Sequence, residues 1–204
     1  MALSCPDHNI PQLLKLASDG DAGAWRQLVE AYTPRIYGLM LRQCGDRELA
    51  EEMTQQTFVK LVSLLSDHGR YDEQGKFEPW LFRIAMNGLR DEMRRRKRQA
   101  RPVDFGDTED GQPDRGRVTL PADPDAPDPL EQVSRAEQVE QLQIAIAQMS
   151  EADQQVLHLR HTAGLSFAQI AETLDQPLGT VLARGHRALA KLRKIMTERT
   201  TENE

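Results

Sequence analysis

Two clusters of cationic side chains carry the chemistry that can be read directly in this chain. Arg94, Arg95, Arg96, Lys97, Arg98 and Arg101 form one block, and Arg184, Arg187, Lys191, Arg193 and Lys194 form another. In the second, Thr180, Arg184, Arg187 and Lys191 recur at helical spacing, so a helix projects them from one side while Val181, Ala188, Leu192 and Ile195 line the opposite side. A guanidinium can donate two parallel bonds to a guanine edge or a phosphate, so such a face suits nucleic acid. The competing reading is a plain solvated basic face, which leaves the cap, turn and short helix upstream unexplained. In the first block's helix, Trp80, Arg83, Asn87, Arg90 and Arg94 fall together on one face. They offer cations for a backbone and a ring on which an unstacked base can lie. A helix macrodipole accounts for one or two basic residues at a C-terminus but hardly for six. A lone tryptophan at a helix start is more often core than platform, so Trp80 keeps both readings.

The formal charge of −6 taken alone argues against a nucleic-acid binder, but the charges are segregated. Between the basic blocks, Pro102 to Pro129 holds six prolines, three glycines and eight acids, including Asp104, Asp107, Glu109 and Asp110. Prolines at this density block helix, and few apolar residues are present to offset the entropy of ordering, so a flexible acidic linker is expected. Carboxylates on such a tether cannot hold a metal geometry, and the five histidines make no ligand pair. Cys5 and Cys44 are too few for a disulfide framework and lack zinc-site spacing, so reduced thiols are expected. No enzyme, metal or cofactor is expected. With no apolar run of about eighteen residues and no signal peptide, the expectation is a cytoplasmic protein without membrane insertion.

The elements that must position these residues read as helices throughout. At 39% hydrophobic and 28% charged, the composition is too polar for one large core and fits an all-α fold of two small domains. Their expected bounds are 1–101, linker 102–129, and 130–204. Asp21 can cap a helix from Ala22 toward Gln43, with Trp25, Leu28, Val29, Ile36, Leu39 and Met40 buried; Pro34 either kinks it or opens another. Asp46 can cap the next, whose Leu49, Met53, Thr57, Leu61 and Leu65, with Phe58 and Val62 beside them, face a core. Its other face carries Glu51, Glu52, Gln55, Gln56 and Lys60. After a polar loop from Ser66 to Gly75, Pro79 marks the first turn of a helix to about Arg98, with Leu81, Ile84, Ala85, Gly88, Leu89 and Met93 inward. In the C-terminal unit, Leu130, Val133, Val139, Leu142, Ile146 and Met149 describe an amphipathic helix, and Ser150 caps a second. Ser166 with Gln169 makes a capping box for a short helix through Leu174; the turn Asp175 to Gly179 leads into the last helix near Thr180. Short helix, tight turn and Arg-rich helix together read as a helix-turn-helix.

The stretch Gly164-Leu-Ser-Phe-Ala-Gln-Ile-Ala-Glu-Thr-Leu-Asp-Gln-Pro-Leu-Gly-Thr-Val-Leu-Ala-Arg-Gly-His-Arg-Ala resembles region four of bacterial sigma factors. Ala50-Glu-Glu-Met-Thr-Gln-Gln-Thr-Phe58 is similar to their polymerase-docking helix in region two, and Phe77-Glu-Pro-Trp-Leu-Phe-Arg-Ile-Ala-Met-Asn87 with Asp91 to the adjoining helix. Two matches in this order, without a middle region, resemble the extracytoplasmic-function subclass. The resemblance implies core RNA polymerase (largest-subunit clamp helices and flap), promoter DNA and an anti-sigma factor as partners. It implies polymerase contacts at Glu51, Glu52, Gln55, Gln56 and Phe58, and minus-ten contacts at Trp80, Arg83, Asn87, Arg90, Arg94 and Arg95. It further implies minus-thirty-five contacts at Ser166, Thr180, Arg184, His186, Arg187 and Lys191. The linker is then either a plain tether or an anionic strand in the polymerase's RNA path. Leu182, Gly185 and Gln176 depart from the pattern, and an interior glycine costs a helix about 1 kcal/mol. A standalone operator-binding regulator is the alternative; it requires a dimer interface or receiver domain that the chain does not display.

Overall fold

The computed structural model describes residues 10–66, 75–99, 139 and 141–202. Linker Pro102–Pro129, Cys5, Leu130, Val133, Arg101 and most of the loop between Ser66 and Gly75 lie outside the described residues. Among the described residues every regular element is helical: α1 (Ile10–Ser18), α2 (Ala22–Cys44), α3 (Arg47–Ser66), α4 (Phe77–Gln99), α5 (141–147), α6 (Glu151–His161), α7 (Phe167–Leu174) and α8 (Leu178–Glu202).

The starts and stops follow from capping chemistry. Asp21 accepts the Ala24 amide at 2.6 Å and opens α2, while Asp46 accepts the Leu49 amide at 3.1 Å at the head of α3. Gly45 ends α2 in the left-handed conformation (φ 71°), which a residue without Cβ adopts freely, and its amide bonds the Leu41 carbonyl. Pro34 opens no second helix; α2 runs through it, with the proline on the exposed side where a missing ladder bond is lost toward solvent. At α7 the capping box is complete, the Ser166 hydroxyl accepting from the Gln169 amide and the Gln169 side chain accepting from the Ser166 amide. The last helix begins at Leu178, two residues before the sequence spacing places it, because Pro177 supplies the carbonyl that accepts from both Thr180 and Val181.

Helices α1 to α4 bury Leu28, Ile36, Leu39, Met40, Met53, Leu61, Leu81, Phe82 and Leu89 between them. Four residues placed on apolar stripes by their spacing are exposed instead: Val29, Val62, Met93 and Leu142. Helices α6 to α8 form the second unit around Leu159, Ile170 and Val181. The two units do not stand apart. Val156, Leu159, Ala163, Leu165, Ile170, Ala171 and Val181 belong to the same continuous apolar cluster as Leu28, Ile36 and Phe82, whereas Met149, Leu157 and Ala188 form a small separate cluster.

Candidate nucleic-acid interface

On α4 the polar face arrives as its spacing predicts: Arg83, Asn87, Arg90 and Arg94 are all exposed. Trp80 is half-buried, packed against the core with its ring centroid 6.2 Å from that of Phe77, so the core reading describes much of its surface. Arg83 Nη2 donates to the Glu172 carbonyl of α7. Arg94 lies 3.8 Å from Asp91, in an exposed pair of little energetic weight, and a groove runs past both along Lys97 and Arg98.

The basic block is divided by its partners. Arg95 makes a fork to Glu92, Nε to Oε2 at 2.7 Å and Nη2 to Oε1 at 2.8 Å. Arg96 turns the other way, donating to Glu92 at 3.0 Å, to Asp46 at 3.2 Å and to Glu52 at 3.4 Å, and so ties the end of α4 to the start of α3. Those bonds from Arg95 and Arg96 hold the Glu92 carboxyl down at about 2. The cluster Arg94 to Arg98 is therefore two groups: Arg95 and Arg96 serve a carboxylate network, while Arg94, Lys97 and Arg98 line the groove.

On α3, Glu51 and Gln55 are exposed and Glu52 is half-exposed, with Gln56 donating to Glu52 at 3.0 Å. Phe58 is half-buried against the core rather than presented with them. Val59, 70% exposed, and Val62 continue an apolar strip beside this polar face.

The last helix has the two-sided character its spacing requires. Val181, Gly185 and Ala188 are buried, while Thr180, His186, Arg187 and Lys191 are exposed. Gly185 has a packing reason: a Cβ there would lie 2.7 Å from Cε1 of Phe167, so α8 comes closer to α7 than any side chain allows. The Arg160 guanidinium covers the same ring at 5.3 Å. Arg184 is half-buried and donates through Nη1 to Gln176 Oε1 at 2.7 Å; Lys191 donates to the Gln148 carbonyl at 2.9 Å. Sequence reasoning missed Gln176 as a partner, although it singled out the position. It also missed Arg35, whose helical neighbours are apolar and whose partners lie far along the chain.

No His/Cys/Asp/Glu group able to hold a metal occurs among the described residues, and no described helix is long and apolar enough to cross a membrane. Burial raises the Cys44 thiol above its ordinary value, which disfavours the reactive thiolate.

The sigma-70 region 2 model matches residues 28–99, and the sigma-70 region 4 model matches residues 145–194. The chain is 32% identical over 186 residues to the RNA polymerase sigma-H factor of Pseudomonas aeruginosa, covering 91% of this chain and 92% of that protein. It is also 32% identical over 189 residues to the ECF RNA polymerase sigma factor SigE of Mycolicibacterium smegmatis, covering 90% of this chain and 66% of SigE's own length. Among solved structures, the sigma factor RpoE in complex with the anti-sigma factor NepR, from Bartonella quintana, matches with a TM-score of 0.58 at 18% identity. That match covers 84% of this chain and 96% of RpoE and shows the likeness of fold. With both matched regions in order and near-full coverage of sigma-H, this chain belongs to the extracytoplasmic-function sigma factors of the sigma-70 family, which bind core RNA polymerase, direct it to promoters and are not themselves enzymes.

Proposed function

We propose that the division of labour within this sigma factor follows the faces just described. Helix α8 enters the major groove of the minus-thirty-five element through Thr180, Arg184, His186, Arg187 and Lys191, with Ser166 fixing the start of the preceding helix. The α4 face of Arg83, Asn87, Arg90 and Arg94, with Trp80 at its head and Arg95 at its end, holds the minus-ten element. Phosphate contacts position the strand there and the ring edge meets an unstacked base. The α3 face of Glu51, Glu52, Gln55 and Gln56, with Phe58 beneath it, meets the clamp helices of the largest polymerase subunit, region 4 meets the flap, and an anti-sigma factor controls access. The chain acts in the cytoplasm, where polymerase works. Residues 1–101 and 130–204 form the two working domains, joined by the acidic stretch 102–129.

The observation that carries this reading is the two-sided last helix, with Val181, Gly185 and Ala188 buried and Arg187 and Lys191 exposed on the far side. Purified protein mixed with core polymerase and a library of promoter fragments tests it. Specific open complexes that require both components are expected; tight operator binding without polymerase would overturn it. Replacing Glu51 and Gln55 together with alanine is expected to lower core affinity with the helical signal unchanged.

A further inference from the structure

The end of α4 reads Asp91-Glu-Met-Arg-Arg-Arg-Lys-Arg98, two acids ahead of five cations. The two acids are placed differently. The Asp91 side chain is 78% exposed and stands 3.8 Å from Arg94, whereas that of Glu92 is only 10% exposed and lies under Arg95, whose guanidinium still meets solvent at 56%. The bonds between Arg95 and Glu92, Nε to Oε2 at 2.7 Å and Nη2 to Oε1 at 2.8 Å, are the parallel pair that an arginine also makes to a phosphate. Because Arg95 and Arg96 hold the Glu92 carboxyl at about 2, it is ionised at neutral pH and competes there as a full charge.

Arg96 decides what an exchange at Arg95 would leave behind. It donates to Glu92 Oε1 at 3.0 Å and reaches Asp46 at 3.2 Å and Glu52 at 3.4 Å. When Arg95 turns outward, Glu92 keeps this charged partner, so the move avoids the large cost of orphaning a covered carboxylate. Arg95 is also the helical neighbour of Arg98, three residues on, and Arg98 lines the groove with Arg94 and Lys97. A strand lying in that groove passes within a side chain's reach of Arg95.

We propose that Glu92 is an internal stand-in for a backbone phosphate: it occupies the Arg95 fork in the free protein, and a phosphate of the promoter strand displaces it as the minus-ten element is gripped. The exchange swaps one anionic acceptor for another and involves no covalent step. Glu92 is thereby a specificity-determining residue. A polyanion that merely passes over the helix must outcompete a carboxylate tethered one turn away at high effective concentration, whereas a strand already fixed by the rest of the α4 face presents its phosphate from a held position. The indiscriminate attraction of the basic end for nucleic acid is reduced, and the ratio of specific to non-specific binding rises. This inference rests on the assignment of Arg95 to the minus-ten strand made above.

Titrating the full chain, without polymerase, against a fluorescein-labelled single strand of mixed sequence over a range of salt tests the competition. Glu92→Gln keeps the shape and removes the charge. It is expected to bind the strand severalfold more tightly than the natural protein and to steepen the slope of log affinity against log salt by about 0.7, one further phosphate neutralised. Adding Arg95→Ala to Glu92→Gln is expected to abolish both changes. Asp46→Asn preserves the cap of α3 and loosens the same joint at Arg96 without touching Arg95, so its slope is expected to match that of the natural protein. In the holoenzyme, Glu92→Gln is expected to lower the ratio of promoter to non-promoter binding severalfold. An unaltered slope in Glu92→Gln, a gain that survives Arg95→Ala, or an equal gain in Asp46→Asn overturns the proposal. Arg95→Ala alone, in the holoenzyme on a promoter, separates the two readings. Weakened binding there, with Glu92→Gln without effect, sinks the exchange and leaves Arg95 on the strand; no effect of either variant removes Arg95 from the minus-ten face as well.

Discussion

At the scale of single residues, two departures from the family pattern turn out to be structural. Gly185 costs α8 some helix propensity, but it permits the close approach to Phe167. Alanine there recovers about 1 kcal/mol of propensity and meets an overpacking cost of about 1 to 3 kcal/mol, a net loss of up to about 2 kcal/mol, so Gly185→Ala is expected to lower Tm by up to roughly 8 °C. A thermal melt followed by circular dichroism checks it, and a raised Tm would mean that the Phe167 ring moves aside without penalty. Gln176 holds the Arg184 fork at 2.7 Å, an orientation cue that its place before Pro177 did not reveal. If Arg184 reads a base, Arg184→Ala weakens minus-thirty-five binding by about 1 to 3 kcal/mol and relaxes specificity at one position. Under the same assignment Gln176→Ala produces a smaller loss in the same competition assay, because the guanidinium remains and only its aim is lost.

At the scale of elements, two ionisable groups couple helix packing to pH. His158 in α6 is buried, and desolvation first, then the charges of Arg42 on α2 and His161 on its own helix, lower it from 6.5 to about 4. The unfolded chain therefore binds a proton that the folded chain refuses, and stability present above pH 6.5 is lost as pH falls toward 4. The loss amounts to up to about 3 kcal/mol. Urea midpoints at pH 7.5, 5.5 and 4.5 are expected to fall more steeply for the natural protein than for His158→Gln; parallel curves would show that His158 is not the group responsible. Glu92 works at the joint of α3 and α4, where Arg95 and Arg96 hold its carboxyl at about 2. Its contribution is fully present above the ordinary carboxylate value of 4.5 and is lost progressively as pH falls from there to about 2. Glu92→Gln is expected to weaken the α3–α4 joint at neutral pH and to remove this acid-dependent part, measured as a reduced difference in Tm between pH 7 and pH 3.

At the scale of the whole molecule, one apolar cluster runs from Leu28 and Phe82 into Leu159 and Ile170 and so is shared by the two regions. Calorimetry of the free chain is expected to show a single transition, and Gly38→Leu, whose side chain would press on Thr162, to split it in two; a split in the natural protein would mean that the shared cluster adds little. Much of this architecture was readable from residues alone. Periodic apolar stripes, the caps at Asp21, Asp46, Ser150 and Ser166, and the opposed faces of α8 are local properties, because helix geometry converts spacing within a few turns directly into faces and ends. The docking of one half on the other was not readable. Arg35 meets Ala163 across 128 positions, and Glu78 meets Gln169 across 91. No periodicity marks such a pair, since a lone arginine among apolar neighbours and a glutamate in a first turn are each locally unremarked. Spacing along the chain thus determined which faces exist, whereas tertiary packing alone decided that Arg35, Gly38 and Glu78 would face region 4, because contacts between distant segments depend on how the assembled surfaces fit and not on any local repeat.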